Sequence, residues 1–123
     1  MPTDRPILVV DDDTNTREGL ALFLESRGYT VVVAVDGADA LEQLRAGLRP
    51  SLILLDLMMP EKNGFQFRVE QVMDPELSKI PICVFSGVPD ATGTSAILGG
   101  VAQLDKPIDL TKLLEVVRSC CAS

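Results

Sequence analysis

Two stretches decide how this chain folds: Ile7-Leu8-Val9-Val10-Asp11-Asp12-Asp13 and Leu52-Ile53-Leu54-Leu55-Asp56. Each is an unbroken aliphatic run that stops on aspartate. A run without alternation is what a strand covered on both faces requires, and such strands belong to parallel sheets. Around them the periodicity changes. Leu20, Phe23 and Leu24 share one helical face, with Asn15 and Glu18 spaced as a capping box and Gly28 placed as a stop. Residues 30–33 are β-branched throughout and read as a second strand. Asp36 can cap a second helix that turns Ala40, Leu41 and Leu44 inward and closes at Gly47, after which residues 52–55 form the third strand.

Phe65, Val69, Val72 and Met73 recur at helical spacing and mark a third helix. Residues 80–85 read as a fourth strand and residues 101–104 as a fifth, and Asp109 caps a last helix with Leu110, Leu113, Leu114 and Val117 on its inner face. Pro89, Gly93, Gly99 and Gly100 argue against a long helix between residues 86 and 101, so a short or frayed fourth helix is expected there. Strands separated by helical segments imply parallel pairing through right-handed crossovers. The fold class is therefore α/β, a doubly wound parallel sheet with helices on both faces, as one domain over residues 1–123.

Composition narrows the function. With 18 acidic and 11 basic side chains the net charge is −7, and no Lys/Arg-rich run offers a footprint for nucleic acid or an anionic membrane. The longest apolar stretch, residues 51–60, holds Asp56 at its centre and is too short for a bilayer span. The N-terminus lacks the apolar region and small-residue cleavage site of a signal peptide, so a cytoplasmic protein is expected. Cys83, Cys120 and Cys121 form neither an even framework nor a metal spacing, which points to reduced thiols. The absence of histidine removes Ser/His and Cys/His nucleophile pairs and the usual zinc sites. Chemistry must rest on carboxylates, hydroxyls and lysine.

Asp11, Asp12 and Asp56 each follow an aliphatic strand, so a parallel sheet projects all three from its carboxyl-terminal edge, where ligands bind in open α/β folds. Three carboxylates close together repel unless something offsets them. Oxygen-only ligation suits Mg²⁺ or Mn²⁺. Asp13 reads as a turn residue capping the following helix. Ser86 ends the fourth strand and Lys106 follows the fifth. Carboxylates, a hydroxyl and a lysine around a cation can hold a phosphoryl group, whose transfer needs mainly positioning and charge stabilisation. Asp56 is the best nucleophile, since a carboxylate can form an acyl phosphate.

Val9-Val10-Asp11-Asp12-Asp13, Leu54-Leu55-Asp56-Leu57-Met58-Met59-Pro60, Val84-Phe85-Ser86-Gly87 and Leu104-Asp105-Lys106-Pro107 resemble the four signature segments of the two-component response-regulator receiver family, of the chemotaxis type. The resemblance spans essentially the whole chain. It implies a flavodoxin-like five-stranded sheet in the order 2-1-3-4-5 with five flanking helices. It further implies phosphorylation of Asp56 by a histidine kinase or a histidine phosphotransfer domain, with a downstream protein target. Asp11, Asp12, Asp56 and the backbone carbonyl of Met58 would hold Mg²⁺. Ser86, Gly87 and Lys106 would bind the phosphoryl group, and Pro107 would make a cis bond that aims the lysine. The only catalysis implied is on the domain itself, without turnover of a separate substrate.

Two other readings share these residues. A phosphatase of the haloacid-dehalogenase type would use Asp11 as nucleophile, but the chain lacks the length for a cap domain and a late acidic pair. A receiver-like scaffold acting by protein contact alone is favoured by Gln103, which stands where the family usually places a Tyr or Phe switch residue, and opposed by the complete acidic site. No effector domain follows Ser123, so a stand-alone receiver or one excised from a longer regulator or hybrid kinase is expected.

The positions that tune hydrolysis in the family, two residues past the acceptor and two past the hydroxyl residue, hold Met58 and Val88. Neither side chain can orient an attacking water through a hydrogen bond. Self-dephosphorylation should therefore be slow, and the double variant Met58→Asn with Val88→Glu should lose its phosphoryl group faster than the parent in a decay time course. Equal rates would show that these two side chains do not set the lifetime.

Overall fold

The computed structural model describes residues 5–56, 64–86, 102–105 and 108–121. Strands β1 (Ile7–Val10), β2 (Val31–Ala34), β3 (Leu52–Asp56), β4 (Ile82–Ser86) and β5 (Ala102–Asp105) form one sheet in the order β2-β1-β3-β4-β5. Every pairing in it is parallel. Helices α1 (Thr14–Ser26), α2 (Gly37–Arg45), α3 (Gly64–Met73) and α4 (Leu110–Cys121) flank it. The doubly wound α/β class expected from the sequence and the strand order implied by the resemblance are both observed. The short helix expected between residues 86 and 101 falls outside the described residues.

The aliphatic strands lack alternation because both faces of the sheet are covered. Leu8, Val10, Ile53, Leu55, Ile82 and Val84 pack with Ala40, Leu41 and Leu44 of α2 and Phe67 of α3. Ile7, Val9, Leu52, Leu54, Cys83 and Phe85 pack on the other face with Leu20 and Leu24 of α1 and Leu113 and Val117 of α4. Burial pushes the Cys83 thiol up to about 12, and Cys120 adds to that shift, so Cys83 serves as a protonated apolar filler. Among the described residues no helix is long and apolar enough to cross a membrane.

Local signals set most element ends. Gly28 and Gly47 adopt φ of 92° and 117° just past α1 and α2, a backbone region where a side chain is strained. Asp36 caps α2 by accepting from the Asp39 amide at 2.8 Å, and Asp109 caps α4 by accepting from the Thr111 amide at 2.9 Å. Four strands shift by one or two residues at one or both ends from the sequence reading: β2 runs from Val31 to Ala34, β3 extends to Asp56, β4 runs from Ile82 to Ser86 and β5 from Ala102 to Asp105. Ile80 instead closes a 3₁₀ turn at Leu77–Lys79.

Two helix readings need correction. The capping box expected from Asn15 and Glu18 is not formed; Asp13 caps α1, because the helix begins at Thr14 and the Asp13 carboxylate reaches the Thr16 amide at 3.1 Å. On α4, Leu113 and Val117 are buried but Leu110, the first residue of the helix, is 45% exposed. The third helix expected from Phe65, Val69, Val72 and Met73 is observed as α3, in which Val69, Val72 and Met73 are 56%, 49% and 77% exposed while Phe67 and Gln71 are buried. Gln71 turns inward, and its amide donates to the carbonyls of Leu77 at 2.7 Å and Ile80 at 3.2 Å; the Leu77 carbonyl also accepts from the Ile80 amide at 3.1 Å, so Gln71 is a second donor there. Arg45 of α2 pairs with Glu70 of α3 at 3.3 Å.

Replacing Gln71 by Leu keeps the volume but removes a donor from the buried carbonyls of Leu77 and Ile80, of which Leu77 keeps the Ile80 amide, and should cost about 2 kcal/mol. Urea unfolding should show a lower midpoint with an unchanged slope. A midpoint equal to the parent's would mean that water satisfies the turn.

Candidate functional site

The sheet register builds the site. Val10 is opposite Leu55, so the chain leaving β1 at Asp11 is level with Asp56 at the end of β3. Asp56 in turn is opposite Phe85 on β4, and Ser86 is opposite Asp105 on β5. The strand ends therefore share one edge, the carboxyl-terminal edge where a parallel sheet leaves its crevice.

The Asp11-Asp12-Asp13 turn is held by hydrogen bonds on either side of Asp12. The Asp11 amide donates to the Ala34 carbonyl at 3.2 Å, tying the residue to β2. One oxygen of the buried Asp11 carboxylate accepts from the Asp13 amide at 2.9 Å. Asp13 then caps α1, which confirms its reading as a turn residue. From the first turn of α1, Arg17 reaches back and donates Nη1 to the Asp11 carbonyl at 2.9 Å. The sequence reading passed over Arg17. The available signal was a cation one helical turn past the cap, a spacing that surface helices also show.

Asp11, Asp12 and Asp56 each offer a carboxylate oxygen, and these three atoms lie within 4.8 Å of one another. Asp11 and Asp56 are buried and Asp12 is exposed, so the cluster has a protein floor and an open side. Three hard anionic donors at that separation repel one another and match an oxygen-seeking divalent cation. With no imidazole or thiolate in the set, zinc is a poor match. The donors fit Mg²⁺ or Mn²⁺, with water completing the coordination.

The other sequence candidates divide in two. Ser86 is the last residue of β4, and Gln103 lies in β5 opposite Val84, but the description of both stops at the backbone. Met58, Gly87, Val88, Lys106 and Pro107 lie outside the described residues.

The response regulator receiver domain family matches this chain over residues 7–118. Response regulator RR06 of Streptococcus pneumoniae is 38% identical over 117 residues, covering 92% of this chain and 51% of that protein, so the chain spans about half the length of that relative. A response regulator receiver protein structure from Pseudomonas putida superposes with a TM-score of 0.86 at 37% identity, covering 94% of this chain and 97% of that one. Response regulator TrrA of Thermotoga maritima, solved in complex with Mg²⁺ and BeF, superposes with a TM-score of 0.83 at 26% identity, covering 94% of this chain and 98% of that one.

Mg²⁺ added to this chain should raise its Tm, by about 2.7 kcal/mol of stabilisation at a hundredfold excess over Kd. Asp12→Ala should erase that shift. In metal-free buffer Asp12→Asn should raise Tm by relieving one of three like charges. A Tm that ignores Mg²⁺ in the parent would contradict a cation site at this cluster.

Proposed function

The chain belongs to the response regulator receiver domain family, and from that membership we propose that residues 1–123 act as one phosphoacceptor receiver of a two-component system, with Asp56 as the acceptor. The observation that supports this reading most is the convergence of the Asp11, Asp12 and Asp56 carboxylates at one sheet edge. A structural relative crystallised with Mg²⁺ and BeF is consistent with it.

In this reading a phosphohistidine on a histidine kinase or phosphotransfer domain presents its phosphorus to Asp56. One Asp56 carboxylate oxygen attacks, the P–N bond breaks, and its electron pair returns to the imidazole. The product is an acyl phosphate on Asp56. Bound Mg²⁺ would neutralise charge on the phosphoryl oxygens during transfer. Asp11, Asp12 and the Met58 carbonyl would hold it together with Asp56. Burial of Asp56 at the end of β3, between β1 and β4, restrains the attacking carboxylate, and the donor would approach from the open side of the cluster, where Asp12 is exposed. Ser86 and Gly87 would hydrogen-bond the transferred group, and Lys106 would pair with it.

The domain then acts as a switch, its only catalysis being on itself, in a cytoplasmic setting where the kinase can reach it. With Gln103 in place of an aromatic residue, the change at Ser86 is relayed by a route other than an inward-swinging ring.

Incubation with acetyl phosphate and Mg²⁺ followed by intact mass should add one phosphoryl group to the parent and none to Asp56→Asn. Transfer from a phosphorylated histidine phosphotransfer domain should give the same contrast. Addition of equal extent to the variant would place the acceptor elsewhere. Turnover of a small phosphate ester surviving in Asp56→Asn would favour a phosphatase with Asp11 as nucleophile.

A further inference from the structure

Asp12 is the exposed member of the acidic cluster, and its carboxylate makes no hydrogen bond to a described residue. Its position therefore depends on the backbone that carries it. That backbone begins at the Asp11–Asp12 peptide, whose carbonyl accepts from Arg17 Nη1 at 2.9 Å. Arg17 is itself anchored at two further points. Its amide donates to the Asp13 carbonyl at 2.9 Å, and Nη2 donates to Thr14 Oγ1 at 3.4 Å. The half-buried Arg17 thus spans from the first turn of α1 to the end of β1, and its guanidinium holds the carbonyl of the peptide between the two aspartates.

We propose that Arg17 is a positioning residue of the cation site: by holding the Asp11 carbonyl it fixes the peptide plane from which Asp12 departs, and so places the Asp12 carboxylate beside those of Asp11 and Asp56. The inference rests on the receiver reading and concerns the cation step within it. Hydrogen bonds that orient a metal's ligands, without touching the metal, set affinity through the ordering they supply in advance. Arginine suits the task because its planar fork can serve a carbonyl and a hydroxyl together.

Charge and clamp predict opposite signs. A cation beside the site repels Mg²⁺, so removing it through charge alone would tighten binding. Removing the clamp would loosen it. Mg²⁺ binding measured by calorimetry at constant ionic strength on the parent, Arg17→Met and Arg17→Lys separates the two. Arg17→Met keeps the apolar stem and should raise Kd about tenfold, a typical loss for a group supporting a metal ligand. Arg17→Lys restores one donor and should recover most of the affinity. In metal-free protein, exchange of the Asp13 amide, which is bonded to the Asp11 carboxylate, should quicken in Arg17→Met and not in Arg17→Lys. If Arg17→Met lowers Tm too far to compare, the Arg17→Lys affinity and amide exchange decide the matter alone.

Binding by Arg17→Met as tight as the parent's or tighter overturns the clamp while leaving the receiver reading in place. A parent chain that binds no Mg²⁺ overturns the receiver reading, and the clamp with it.

Discussion

Like charges held close together are the constraint on which this structure turns. Carboxylate oxygens of Asp11, Asp12 and Asp56 lie within 4.8 Å of one another at the end of a parallel sheet, and two of the three side chains are buried. Left to itself such a group would spread. It is kept together because its two buried members sit at the ends of adjacent strands whose register is set by packing on both faces. A one-residue slip of β3 against β1 would invert every side chain on the strand and expose Leu52 or Leu54 to the wrong layer. The core therefore supplies the force that opposes the repulsion.

Three consecutive aspartates divide the labour at the head of α1. Asp11 is buried and accepts a backbone amide, Asp12 is exposed towards solvent, and Asp13 caps the helix. The division follows from polar accounting. The first amides of a helix need acceptors, and a strand turning directly into a helix has only those few residues with which to supply them. Asp13 meets part of that need, Asp11 secures the Asp13 amide, and Arg17 returns from the helix to the Asp11 carbonyl. Hydrogen bonds on either side of Asp12 restrain the turn, which suits a site whose chemistry depends on position more than on reactive groups.

Much of this was legible from the chain. The runs through Val10 and Leu55 could be read as doubly covered strands because they lack alternation, and their closing aspartates followed from where those runs stop. Gly28, Gly47, Asp36 and Asp109 punctuated the helices as expected, since capping is a local matter of a few atoms. The outward face of α3 was not legible. Val69, Val72 and Met73 have the spacing of a core stripe, yet the helix turns them to solvent and buries Gln71. Periodicity reports which face is apolar, and it is silent about carbonyls in a later turn that demand a donor. Asn15 and Glu18 misled for a related reason: their spacing suits a cap, but Asp13 stands nearer the true start of α1.

What the sequence determined alone was therefore local and one-dimensional: element types, their stops, and the acidic residues that close β1 and β3. Tertiary structure decided what depends on distance across the chain. It brought Asp56 level with Asp11 through strand register, rotated α3 about its axis, and set Arg17 over a carbonyl at the strand end. The reason is physical. Local propensities act over a turn or two, whereas the approach of like charges and the pairing of buried carbonyls are settled only when distant segments pack.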